Sequence, residues 1–207
     1  KLIATRSTGF DHIDLESAKK NGIKITNVPS YGSRTVAEFT FGLILTLSRK
    51  IFGARKQLLE GDNFDISKLK GFNLYGKTLG VVGTGKIGKN VIKIANGFEM
   101  KIIAHDIFPD KEFAEKIGFK YVNLPELLSQ SDIVTLHTPY NESTHHLINK
   151  DTILFFKKGA YLINTARGEL VETDALLKAL TSNHLSGAGL DVLESERQLK
   201  EEISIFA

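Results

Sequence analysis

Gly83, Gly85 and Gly88 form the pattern G-x-G-x-x-G, directly after the apolar run Leu79, Gly80, Val81, Val82. A helical pattern follows, and Asp106 stands eighteen positions beyond Gly88, at the close of the next apolar run, 101–106. Each part has a physical task. Gly83 permits a tight turn out of a strand, Gly85 lets backbone approach a pyrophosphate, and Gly88 allows a helix to pack closely on the strand. A helix starting near Gly85 directs its free N–H groups and the positive end of its dipole at phosphate oxygens. Asp106 has about the spacing of an acid that accepts hydrogen bonds from an adenosine ribose. G-x-G-x-x-G by itself also serves ordinary turns. The strand before it, the helix after it and the acid beyond make dinucleotide binding the reading here.

Ligands of open parallel sheets bind beyond the carboxyl ends of the strands, so residues at those ends carry the remaining chemistry. Arg167, just past a central strand, suits gripping a carboxylate in a fork while polarising the adjacent carbonyl. Its alternative is a structural ion pair with Glu169 or Glu172. Asp191 either orients the nicotinamide end of a dinucleotide or caps the turn that follows. Glu196 lies in the run Glu194, Ser195, Glu196, Arg197, which by itself reads as a solvated charge cluster. His105 and His137 end strands and either support a cofactor or fill the crevice wall. His145 and His146 share a loop without metal-ligand spacing, and His12 and His184 fall at surface or turn positions. No spacing of histidine and acid suggests a metal site.

The elements that position these groups alternate. Strands are expected at 2–7 and 23–28 with a polar helix at 14–21 between them, a unit that belongs to a parallel sheet. Thr35, Val36, Ala37 and Glu38 carry a capping-box pattern that starts a helix running to about Lys50. That helix is apolar on all sides, so it is covered either by a partner subunit or by two domains of one chain. Residues 58–75, rich in Gly, Asn, Asp and Lys, read as a connector. Beyond it, strands are expected at 78–83, 101–106, 119–122, 132–137, 160–165 and 186–192. Helices are expected near 86–98, 110–117, 125–130, 150–157 and 174–181, with Gly118 and Gly159 at helix C-caps. The fold class is therefore α/β, a doubly wound parallel sheet.

Composition narrows the function. The 207 residues are 42% hydrophobic and 25% charged, an ordinary globular composition, with a formal net charge of only +3. That balance does not suggest nucleic acid or an anionic membrane as partner. Absence of cysteine excludes disulfides and a thiolate nucleophile, and agrees with a reducing compartment, the cytoplasm. No apolar run is long enough to span a bilayer.

In this order, several segments resemble the NAD-dependent D-isomer-specific 2-hydroxyacid dehydrogenase family, in its D-lactate dehydrogenase-like branch. They are 6–14, 27–31, 36–38, 83–88, 136–139, 147–149, 164–168 and 189–192, so the resemblance covers essentially the whole chain. It implies a Rossmann-type NAD domain at 76–207, preceded by part of a flavodoxin-like substrate domain with its linking helix at 1–50 and a connector at 51–75. It implies hydride transfer between NAD and a small 2-oxo acid; a homodimer is the assembly that the all-round apolar helix at 35–50 suggests. Arg167 would bind substrate and polarise its carbonyl, and Glu196 would raise the pKa of a catalytic histidine. Thr8 and Gly9 would hold the substrate carboxylate and Tyr31 would line the pocket. Lys86, Ile87, Asp106, Thr138, Pro139, Thr144, Thr165, Ala166, Arg167 and Asp191 would contact NAD. Ile107, Phe108 and Pro109 after Asp106 provide no arginine for a 2′-phosphate, which favours NAD over NADP. Phosphoglycerate, glyoxylate or hydroxypyruvate, formate and phosphite dehydrogenases share the Arg167 segment and stay open as alternatives. So does an NAD-sensing, non-enzymatic corepressor-like protein.

One departure stands out. In the family the catalytic histidine follows the acid, yet none of the six histidines here lies after Glu196. The chain also begins inside the first domain, and a two-domain member is expected at about 300 residues or more, so the sequence reads as an internal fragment. A missing general acid lowers the rate by roughly 10²–10⁴. Purified 207-residue protein assayed with NADH and pyruvate should show turnover reduced by at least that factor; turnover near that of an intact two-domain enzyme would refute the expectation.

Overall fold

Asp14 accepts hydrogen bonds from the Ser17 backbone N–H (2.9 Å) and hydroxyl (2.6 Å), and so starts the first helix, α1 (Leu15–Lys20). This helix joins β1 (Leu2–Ala4) to β2 (Lys24–Thr26), a parallel pair shorter than the expected strands. The structure is a computed structural model and describes residues 1–10, 12–60 and 66–195. Asp11 of the first motif and Glu196 lie outside the described residues.

Next comes α2 (Ser33–Ser48), capped by Gly32 without a side-chain bond. The capping-box expectation is corrected here: Thr35 sits within the first turn, because the turn at 30–32 already supplies backbone acceptors for Ser33 and Val36. Ala37, Thr40, Phe41, Ile44 and Ser48 are buried, a stripe at helical spacing, while Phe39 is 47% exposed. The expected connector at 51–75 is partly regular: it contains α3 (Ile51–Glu60) and a 3₁₀ turn at Ile66–Leu69.

The rest alternates as expected. β3 (Thr78–Val82), α4 (Lys86–Gly97), β4 (Lys101–His105), α5 (Lys111–Ile117), β5 (Lys120–Tyr121), α6 (Leu124–Gln130), β6 (Ile133–Leu136), β7 (Ala160–Asn164), α7 (Thr173–Thr181) and β8 (Leu185–Leu190) follow in turn. The strands form one parallel sheet in the order β5-β4-β3-β6-β7-β8. Order reverses between β3 and β6, which opens a crevice beyond their carboxyl ends. The helix expected at 150–157 is a 3₁₀ turn, Thr152–Phe155, because the Asn149 side chain accepts from the Asp151 and Thr152 N–H groups and tightens the chain. Gly118 caps α5 in the left-handed region (φ 88°), whereas Gly159 (φ 84°) serves the turn before β7 and not a helix end.

Strand alternation divides the core in two. Leu79, Val81, Ile133 and Ile163 face one layer, with Ile92 of α4 and Phe41 and Ile44 of α2. Val82, Val134, Leu136 and Leu162 face the other, with Leu127 of α6 and Leu176 of α7. Parallel sheets need cover on both faces, and α2 supplies it over β7 and β8, next to α4. The apolar helix thus serves as internal cover along one stripe.

Packing between β3 and α4 is close enough to test. A Cβ on Gly88 would lie 2.0 Å from the Gly83 carbonyl oxygen, so α4 would have to move. Gly88→Ala should lose about 1–3 kcal/mol of stability in urea unfolding and bind NADH more weakly. Wild-type stability in this variant would show that the close approach is not required.

Candidate functional site

The glycine turn is built as its spacing demands. Gly83 has φ 92°, which a side chain would strain, and its amide donates to the His105 carbonyl at 2.8 Å. Gly85 is the N-cap of α4 and makes no side-chain cap bond, and the space where its Cβ would lie is open. The first N–H groups of α4 therefore point at an open position suited to an anion. Lys86 and Ile87 follow on the rim, and Lys86 Nζ donates to the Pro29 carbonyl at 3.4 Å.

A cleft of about 760 Å³ lies between this turn and the first 33 residues. The structure brings Thr8, Gly9 and Tyr31 to one wall, with Gly85, Lys86, Ile87, Thr138, Pro139, Thr165, Ala166 and Arg167 opposite. The first wall is fixed by polar links: the Thr8 hydroxyl donates to the Val28 carbonyl at 2.9 Å, and Asn27 Nδ2 donates to the Thr8 carbonyl at 2.8 Å.

Arg167 owes its place to a nearly sealed asparagine. Asn164 is 1% exposed; its Oδ1 accepts from the Ala166 amide (3.1 Å) and its Nδ2 donates to the Arg167 carbonyl (2.8 Å). Thr165 shares a buried 3.0 Å hydroxyl contact with Thr40 of α2. Arg167 is half-buried in extended backbone at the cleft, and its Nη1 donates to the Ala166 carbonyl at 2.7 Å. Glu172, considered as its partner, accepts from the Lys150 amide at 2.8 Å.

At the end of β4, Asp106 accepts from the Thr84 amide (2.6 Å) and hydroxyl (2.8 Å) and from the Phe108 amide (2.8 Å). Burial alone would raise its pKa, but these donors and the nearby His105 hold it below the ordinary carboxylate value. His105 itself donates from Nδ1 to the Val122 carbonyl (3.0 Å), so it serves the β4–β5 edge. At the cleft, Thr138 Oγ1 and His137 Nδ1 are sealed from solvent without a protein partner, while His137 Nε2 meets Thr135 Oγ1 at 2.9 Å. An open helix N-terminus beside orphaned polar atoms fits a polyphosphate nucleotide.

Two expected site residues, Thr144 and Asp191, do not line this cleft. Thr144 shapes its own loop, accepting from the Asn141 amide (2.8 Å) and contacting the Pro139 carbonyl (2.8 Å). Asp191 donates its amide to the Asn164 carbonyl (2.9 Å) and borders a separate cavity of about 370 Å³. Glu196 is outside the described residues.

Glu194, read from sequence as part of a solvated cluster, is instead half-buried. It meets His146 Nε2 at 2.5 Å and accepts from the Thr173 amide (3.0 Å) and hydroxyl (2.7 Å). Burial opposes its charge, but the Thr173 and His146 bonds bring its pKa below the usual value. Sequence reasoning also missed Thr40, although a polar residue on the 37–41–44 stripe was a usable signal. Among the described residues, no group of three or more His, Asp or Glu could hold a metal ion, and no helix is long and apolar enough to cross a membrane.

Residues 41–205 match the family described as D-isomer specific 2-hydroxyacid dehydrogenase, NAD binding domain. A D-lactate dehydrogenase of Escherichia coli K12 is 41% identical over 199 residues, which cover 96% of this chain and 60% of that protein. A 2-hydroxyacid dehydrogenase homolog of Zymomonas mobilis is 42% identical over 200 residues, with the same coverage of 96% and 60%. The structure of D-lactate dehydrogenase from Aquifex aeolicus, complexed with NAD and lactic acid, superposes with a TM-score of 0.89 at 44% identity. That match covers 95% of this chain and 59% of the other. The chain thus spans about three-fifths of the length of these relatives.

His137 gives a test of the crevice wall. The residue is half-buried as a whole, but burial of its ring pushes its pKa from 6.5 down to about 3. The unfolded chain takes up a proton below pH 6.5 that the native state refuses. The stability contributed is complete above pH 6.5 and is lost as pH falls toward 3, by about 2 kcal/mol at pH 5. Urea unfolding of His137→Asn should therefore show a smaller stability loss between pH 7 and 5 than the wild type. Equal losses in both proteins would contradict a sealed, neutral imidazole.

Proposed function

Because the chain belongs to the D-isomer-specific 2-hydroxyacid dehydrogenase family, we propose that the protein transfers hydride between NAD(H) and a small 2-oxo acid, with pyruvate and D-lactate as the pair. The observation that carries this reading is Arg167, held by Asn164 at the cleft opposite Thr8, Gly9 and Tyr31.

When bound, the nicotinamide supplies or accepts the hydride. The chain's own groups bind and orient. The N–H groups at the start of α4, with Gly83, Gly85 and Gly88 keeping side chains out of the way, receive the pyrophosphate. Asp106 takes the adenosine ribose, and Thr138 and Pro139 line the cleft beside the nucleotide. Arg167 pairs with the substrate carboxylate and stabilises negative charge growing on the carbonyl oxygen. Backbone at Thr8 and Gly9 holds the other side of that carboxylate. In the intact protein Glu196, which lies outside the described residues, would pair with a catalytic histidine that none of the six histidines here supplies, and would raise its pKa so that it stays protonated for transfer to the same oxygen.

In this reading residues 1–50 belong to the substrate domain and its linking helix, 51–75 connect, and 76–207 form the NAD domain. The proposed compartment is the cytoplasm. The proposed assembly is a homodimer, supported by exposed apolar side chains on α2, α3 and α7, among them Phe39, Phe52 and Leu177.

Oxamate, an isostere of pyruvate with a carboxylate beside a carbonyl, tests the reading without requiring turnover. The 207-residue chain should bind NADH by fluorescence, which no tryptophan obscures, and then bind oxamate. Arg167→Gln should weaken oxamate by on the order of 10²-fold and NADH far less. Unchanged oxamate affinity in that variant would remove Arg167 from the site.

A further inference from the structure

Asp106 is the end of a chain of hydroxyls. Its Oδ2 receives the Thr84 amide at 2.6 Å and the Thr84 hydroxyl at 2.8 Å. Thr84 Oγ1 also lies 2.9 Å from the Tyr121 hydroxyl, which in turn accepts the Asp110 amide at 3.2 Å. A threonine hydroxyl has one proton, and an ionised carboxylate can only accept. The Thr84 proton is therefore committed to Asp106, and the Tyr121 proton must go to Thr84. The direction is fixed: Asp110 N–H to Tyr121, Tyr121 to Thr84, Thr84 to Asp106.

Both ends of the relay are anchored. Asp110 caps α5 through the Phe113 amide (3.0 Å) and pairs with Lys89 of α4. The Tyr121 ring packs edge-on against Phe119 at 5.2 Å, and Phe119 against Phe113 at 5.7 Å. Thr84 is 4% exposed, so its hydroxyl has little access to water as a substitute donor. Phe108 N–H holds Oδ1 at 2.8 Å, which leaves the carboxylate without freedom to turn.

We propose that Tyr121 and Thr84 are positioning residues that lock Asp106 as a fixed acceptor for a ribose diol and thereby set discrimination against a 2′-phosphate. A carboxylate free to rotate could swing away from a phosphate; one held by three donors keeps its charge where the phosphate would enter, and like charges repel. This rests on the reading of the cleft as an NAD site and adds a determinant two residues removed from the nucleotide.

The test is titration of the 207-residue chain with NADH and with NADPH. Tyr121→Phe keeps the ring packing and removes only the relay. It should weaken NADH by roughly three- to tenfold and lower the NADH-over-NADPH preference by a similar factor. In an Asp106→Ala background the same substitution should leave the preference unchanged, because the group it positions is gone. Thr84→Ser, which retains the hydroxyl, should preserve the preference, and Thr84→Val should lower it, so the answer does not depend on one variant folding. Failure of the wild-type chain to bind NADH would remove the cofactor reading and this proposal together. Normal wild-type binding with an unaltered preference in Tyr121→Phe and Thr84→Val, or a Tyr121→Phe effect that persists without Asp106, would overturn the proposal alone.

Discussion

A methyl group on Gly88 would overlap the carbonyl oxygen of Gly83, and that approach decides where α4 starts and where its first N–H groups point. The rest of the crevice is arranged around this contact. With α4 pressed onto β3, Gly85 becomes the helix N-cap and has nothing on its open side. The intervening Thr84 is turned toward β4, where Asp106 ends the strand paired in register with β3. One steric constraint thus places both an open helix N-terminus and a carboxylate at neighbouring strand termini. A larger residue at position 88 would move α4 and take both features with it.

On the other side of the switch point, control passes from steric contact to buried hydrogen bonds. The loop after β7 packs Ala166 and Leu170 on the core but also presents Arg167 to a cleft. Asn164 adds bonds to Ala166 and Arg167, and Thr40 reaches Thr165 from α2. Partnered polar groups with so little exposure hold their geometry, because each broken bond leaves a group unsatisfied. Through Thr40, the helix that covers β7 and β8 is also tied to the loop bearing the guanidinium.

Much of this was legible in the chain because strand and helix periods differ. The six strands from β3 to β8 and the helices α4 to α7 fall where alternation puts them, and all three glycines of the turn hold their assigned places. Errors arise where a local pattern has a tertiary competitor. Thr35 to Glu38 fits a capping box, but backbone acceptors at 30–32 begin α2 three residues sooner, with Gly32 and not Thr35 as N-cap. Residues 150–157 suggest a helix, but the Asn149 side chain takes the N–H groups that would have extended it. The relay from Tyr121 to Asp106 could not be read at all, because its members are 15 to 37 positions apart and meet only when β3, β4 and β5 align.

Glu194 shows why a run of charges is a poor guide to solvation. The N-cap of α7, Glu172, makes no side-chain cap bond, so the first N–H groups of that helix require an acceptor from elsewhere. Glu194 provides it from beyond β8, binding the Thr173 amide and hydroxyl with one oxygen and His146 with the other. The favourable charge–dipole interaction at a helix N-terminus offsets part of the desolvation of the carboxylate. Geometry then does the rest: the backbone at Leu193 and Glu194 lies directly against Gly168, where a Cβ would be 2.0 Å from the Leu193 carbonyl carbon. The chain leaving the sheet is therefore seated against the residue that follows Arg167. A cap supplied from a distant segment thus joins α7, the loop at 141–149 and the Arg167 loop into one supported wall.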